Sequence, residues 1–185
     1  MTDYQHAEAI GRIVTIRSKW RPTETHEFET GTDARARAAV INEAITWLKT
    51  PFRNCADIKG EQGGVDCAML LTRCFVDTGA LLPFDPRPYP PQWHVHHDEE
   101  RFLKLITEQL GAIEIVDELP RVGDIAVYHW GRCYSHGALI INKDEVCHAF
   151  YKTGRCVIMR MQDTDLALRG AGARPVKFFR VKRDG

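Results

Sequence analysis

The chain has 185 residues, 44% hydrophobic and 27% charged, and its 25 basic and 25 acidic side chains cancel to no net charge. That length and balance support one globular domain with a sizeable core. With no Lys/Arg-rich block and no apolar run near the ~18 residues of a bilayer span, neither a nucleic-acid partner nor membrane insertion is expected.

Residues 1–31 read as an N-terminal arm, with weak strand-like alternation over 10–16 and a loop at 21–25. Residues 1–6 are polar and lack the charged-then-apolar pattern of a signal peptide, so export by an N-terminal leader is not expected. Residues 32–185 read as a single domain. Asp33 is the expected N-cap of a first helix, with Val40, Ile41, Ala44, Ile45 and Leu48 on one face and Pro51 as its stop. Residues 52–65 read as a polar loop.

Gly63-Gly64-Val65-Asp66-Cys67-Ala68-Met69-Leu70-Leu71 opens a second helix, capped by Asp66 and stopped by Gly79. Residues 83–97, rich in proline and aromatics, read as an extended loop suited to docking a neighbour or lining a groove. Asp98-Glu99-Glu100 is expected to cap a third helix carrying Phe102, Leu103, Leu105, Ile106 and Leu110, ended by Gly111. The period then becomes strand-like over 113–116, 124–130, 137–141, 145–151, 156–161 and 176–181, with a short helical piece at 163–168. Helices followed by strands joined by short turns indicate an α+β fold with an antiparallel sheet.

Six cysteines, at 55, 67, 74, 133, 147 and 156, contain no Cys-x-x-Cys pair, so a zinc ribbon is not expected and most read as reduced core residues. No metal and no cofactor is expected. His94-Val95-His96-His97 lacks supporting ligands and reads as loop packing. Arg73 and Asp77 read as a surface ion pair at i and i+4.

Cys67 differs from the other cysteines. In the first turn of a helix, unpaired amides and the positive end of the dipole favour a thiolate, which predicts alkylation well below the free-thiol pKa of about 8.5. Candidate bases lie downstream, in His136-Gly137-Ala138 and Val146-Cys147-His148-Ala149, with His129 as a competitor read as structural. Strand parity makes the pairing testable. A two-residue turn, Lys143-Asp144, places Leu139 opposite His148 and sends the two histidines to opposite faces. A three-residue turn, Asn142-Lys143-Asp144, places Ala138 opposite His148 and leaves His136 diagonal on the same face, roughly 7–8 Å away between backbones.

These residues together resemble the NlpC/P60 cysteine peptidases. Asp66-Cys67 is similar to the family's Asp-Cys at a helix start, and Arg121-Val122-Gly123-Asp124 to its Pro-Gly-Asp. His136-Gly137-Ala138 resembles its base histidine, and His148-Ala149 its third polar residue. The resemblance spans residues 44–181 and implies a papain-like α+β fold, with the nucleophile helix packed on a central antiparallel sheet. It implies a Cys67–His136–His148 relay that hydrolyses amide bonds in peptidoglycan stem peptides. Asp66, Phe52, Ala68 and Met69 are then the positions facing substrate, Asp66 toward its amine. Phe52 replaces the family's tyrosine, and Ala68-Met69 its Ser-Gly.

Trp47-Leu48-Lys49-Thr50-Pro51-Phe52, Lys59-Gly60 and Tyr89-Pro90-Pro91-Gln92-Trp93 look most like the phage tail-associated branch. That implies a protein made in the cytoplasm and carried in a tail tip, with other phage tail-tip proteins as partners. The alternative is a structural tail-tip subunit with weak or no hydrolase activity. A lipid acyltransferase of the same superfold is disfavoured, because those relatives place His before Cys.

Overall fold

The computed structural model describes residues 32–90, 99–169 and 172–182. The proposed arm, the His94–His97 cluster and Asp98 lie outside these residues.

Helix α1 (Thr32–Thr46) buries Val40, Ile41 and Ala44 as its apolar spacing requires, with Ile45 and Leu48 partly buried. Asp33 lies inside the first turn and pairs with Arg37 at 2.7 Å, so it is not the cap. The helix ends before Pro51, where Lys49 turns left-handed (φ 70°) and its amide bonds Cys156 O. Residues 52–65 are more ordered than a loop. They contain a two-residue hairpin, β1 (Asp57–Ile58) and β2 (Gly64–Val65). A Cβ on Gly63 would lie 1.8 Å from Ile58 O, so this hairpin closes only over glycine.

Helix α2 (Cys67–Val76) starts at Asp66 as expected, and Gly79 follows its end at φ 72°. Helix α3 (Arg101–Lys104) continues as one π turn over Leu105–Gln109, closed by Leu110 N–H to Leu105 O. The acidic start does not cap it. Glu99 pairs instead with Arg101 and Lys104, and Glu100 accepts from Tyr134 N–H.

The centre is one antiparallel six-stranded sheet in the order β3-β10-β4-β5-β6-β7. Its strands are β3 (Ala112–Glu114), β4 (Ile125–Trp130), β5 (Cys133–Ile140), β6 (Glu145–Phe150), β7 (Arg155–Arg160) and β10 (Val176–Val181). Between β7 and β10 lie α4 (Thr164–Ala167), β8 (Leu168–Arg169) and β9 (Gly172–Ala173). Helices cover one face: Cys147 Sγ reaches Ala44 O, and Gly137 abuts Leu71 and Phe102. Tyr128, His148 and Phe150 lie on the other, where Tyr128 Oη donates to Met161 O and Arg174 lies 3.8 Å over the Trp130 ring.

Candidate active site

Cys67 is the first residue of α2 because Asp66, in extended backbone, caps the helix by accepting from Met69 N–H at 2.9 Å. The same carboxylate accepts from Cys55 N–H at 2.6 Å and from Tyr89 Oη at 2.8 Å to each oxygen. Three segments therefore converge on the residue before the thiol.

The hairpin β5–β6 has the odd turn. Leu139 opposes Cys147, Ile140 opposes Val146, and Ile141 N–H bonds Glu145 O, leaving Asn142-Lys143-Asp144 as the turn. Asn142 Oδ1 accepts from the amides of Asp144 and Glu145, which fixes that length. Continuing the register puts Ala138 opposite His148 and His136 on the same face. His136 Nε2 lies 2.8 Å from His148 Nδ1. On the other side of β5, Tyr128 opposes His136 and His129 opposes Tyr134, so Ser135 is an extra residue. A bulge beside a site re-aims the neighbouring side chain.

The ladder between β5 and β6 stops at Leu139↔Cys147, while His148 and Ala149 pair outward with Val157 and Cys156 of β7. Along β5 the amide of Ile140 points to β4 and that of Ile141 to β6, so the amide of Gly137 also points to the β6 side. There the ladder has ended, and that amide pulls the Cys67 thiol pKa down.

The electrostatics depart from the helix-start expectation. Burial, then the Asp66 carboxylate, push the Cys67 thiol up to about 12, against the opposing pull of the Gly137, Cys67 and Ala68 amides. Cys67 is only half-buried, yet the crowding around its sulfur outweighs the helix terminus. Asp66 itself is raised by burial, opposed by the Met69 and Cys55 amides and the Tyr89 hydroxyl. Burial lowers His148 to about 3, so it is neutral through the ordinary pH range. Its Nε2 is buried and meets no hydrogen-bond partner among the described residues. Around the pair stand Phe150, stacked on His148 at 4.9 Å, and Trp130, edge-on to His136 at 6.0 Å.

Of the other expected positions, Phe52 is partly buried, its amide bonded to Gly154 O and its backbone bridged to Val65. Ala68 and Met69 are buried, and Met69 packs into the core. His129 lies edge-on to Tyr134 at 5.1 Å, outside the His136–His148 pair. Among the described residues no group of three His, Cys, Asp or Glu side chains is arranged to hold a metal ion. No helix among them is long and apolar enough to cross a membrane. Sequence reasoning missed Tyr89, Cys55 and the role of Gly137. The Gly137 signal was present, since glycine mid-strand marks a close backbone approach.

No family model matches this sequence, and no curated protein matches it. Among solved structures, the chain superposes on the P60 domain of the M. avium subspecies paratuberculosis antigen MAP1204, with a TM-score of 0.51 at 18% identity, over 80% of this chain and 95% of that one. The fold is that of a P60 domain. The peptidoglycan hydrolase RipB of Mycobacterium tuberculosis also aligns, with a TM-score of 0.49 at 16% identity, over 83% of this chain and 73% of that one. The papain-like α+β architecture, with the helix that carries Cys67 packed on an antiparallel sheet, is the one expected from the motifs.

Proposed function

We propose that this protein is a cysteine peptidase of the NlpC/P60 type that hydrolyses amide bonds in peptidoglycan stem peptides. Cys67 is the nucleophile, His136 the base, and His148 the group that orients the base. The observation that carries this reading is the 2.8 Å bond between His136 Nε2 and His148 Nδ1, on the strand whose Gly137 amide pulls the Cys67 thiol pKa down.

That bond leaves Nδ1 of His136 to serve the thiol. The sulfur attacks the carbonyl carbon while its proton passes to Nδ1, and the Cys67 amide at the helix start receives the oxyanion. The proton then goes to the leaving amine. Water, deprotonated by the same nitrogen, cleaves the thioester and restores the thiol. While His136 is charged, its Nε2–H donates to His148 Nδ1, so the proton of neutral His148 sits on the buried Nε2. A buried donor without an acceptor costs ~1–3 kcal/mol. The same tautomer of His148 is needed before and after transfer, so it is the raised thiol pKa that favours a neutral resting pair, with proton transfer coinciding with attack.

The test is product analysis of purified peptidoglycan by mass spectrometry. New amine and carboxyl ends within stem peptides are expected. Release of glycan fragments with intact stems would overturn the reading.

The proposal extends to a setting in a phage tail tip. The segments resembling that branch are knitted together: Gly60 N–H bonds Thr50 Oγ1 at 3.1 Å, and Lys59 pairs with Glu43 beneath the Trp47 ring. An assembly role alongside catalysis is favoured by Leu82, 87% exposed at the start of the proline-rich segment. Recovery of the chain in purified tail particles tests the setting, and its absence from them counts against it.

A further inference from the structure

We propose that Tyr89 is a positioning residue for Cys67: its hydroxyl ties the Asp66 carboxylate to the proline-rich segment and keeps it turned into the first turn of α2. The inference rests on the peptidase reading for its catalytic meaning, but its geometry stands alone. Tyr89 Oη is 2.8 Å from both Asp66 oxygens, which also hold the amides of Met69 and Cys55. The segment bearing Tyr89 is itself clamped. Arg87 donates to Cys55 O at 3.0 Å and to Asp57 at 3.0 Å, and Cys55 Sγ reaches Tyr89 O at 3.4 Å. Residues 83–90 are therefore a strap fastened to the residue preceding the nucleophile.

The consequence is electrostatic. Asp66 is the next residue to Cys67, and its negative charge opposes a thiolate. A phenol donating to both carboxylate oxygens spreads that charge and fixes its direction, as only charge-assisted bonds do at this strength. Asp66, Cys67 and Cys55 are the ionisable groups that act on the Tyr89 phenol in turn. Without the hydroxyl, the carboxylate keeps its two amide donors but presents more unbalanced charge to the sulfur.

The test is alkylation of Cys67 by iodoacetamide as a function of pH, read by mass spectrometry of the Cys67 peptide so that Cys55 does not interfere. For Tyr89→Phe the plot of log rate against pH is displaced, with alkylation at pH 8 about threefold to tenfold slower, a tenfold change being one pKa unit. Arg87→Ala loosens the strap without touching Asp66 and gives a smaller displacement in the same direction. If Tyr89→Phe does not fold, Arg87→Ala decides. A profile superimposed on the wild type, or moved to faster alkylation, overturns the proposal. The outcomes separate from those of the peptidase reading. Displacement in a protein that cleaves no wall peptide keeps the strap and sinks the peptidase. Cleavage with no displacement does the reverse.

Discussion

His136 Nε2 and His148 Nδ1 meet at 2.8 Å across a hairpin whose turn holds three residues, not two. One residue fewer would send one imidazole to the helical face. His148 is buried and burial holds it neutral, and in the proposed mechanism it is the hydrogen-bond acceptor that steers His136. An amide oxygen can replace an acceptor, whereas a methyl group cannot. His148→Asn should lower kcat about tenfold and His148→Ala ~10²-fold or more, with KM little changed. Steady-state kinetics on a stem-peptide substrate checks this; equal losses in both variants would contradict an acceptor role.

The same residue sets a pH dependence of stability. Folded His148 titrates near 3, while the unfolded chain takes up that proton near 6.5. Between those values the unfolded state binds more protons. The contribution is therefore complete above pH 6.5 and is lost as pH falls toward 3, by at most about 1.4 kcal/mol per pH unit. Urea melts at pH 7.5, 6, 5 and 4 should show a shallower fall for His148→Gln than for the wild type. Parallel curves would show that His148 is not the titrating group.

Gly137 is fixed by packing. A Cβ there would lie 2.6 Å from Phe102 Cζ and 2.7 Å from Leu71 Cδ1. Gly137→Ala must push β5 off the helices, at a cost of ~1–3 kcal/mol, and should move His136. Activity should fall further than stability alone accounts for. Pairing it with Phe102→Leu should recover part of both, as a double-mutant cycle in urea will show.

Asp124, fully buried, binds Arg37 at 2.9 Å, Arg180 at 2.8 and 3.0 Å and the Arg121 amide at 2.7 Å. It pins the start of β4 to α1 and β10. Asp124→Ala leaves Arg37 with Asp33 and Val122 O, and Arg180 with Glu118, but removes their shared buried acceptor, and should cost ~1–3 kcal/mol in chemical denaturation. A loss below about 1 kcal/mol would show that solvent relieves those charges.

Much of the candidate site's geometry was legible because its signals are local. Asp66 before an apolar stripe and Gly79 after it mark α2, and strand parity reduced the His136–His148 pairing to the length of one turn. What escaped depends on contacts distant in sequence. Tyr89 lies 23 residues from Asp66, and nothing in the proline-rich pattern says which carboxylate it meets. The hairpin of β1 and β2 has two residues per strand, too short for alternation to register. The acidic run before α3 looked like a cap, but Glu99 and Glu100 found partners elsewhere. The electrostatics around Cys67 run against the thiolate expectation for a related reason. A helix start favours the anion, but Asp66 and the packed surround that a sequence does not display oppose it more strongly.

The most direct test of the nucleophile is Cys67→Ala, compared with the wild type for release of stem-peptide fragments from purified peptidoglycan, with circular dichroism confirming an unchanged fold. Release by the wild type and none above background by the variant is expected. Release at the wild-type rate by Cys67→Ala would contradict it.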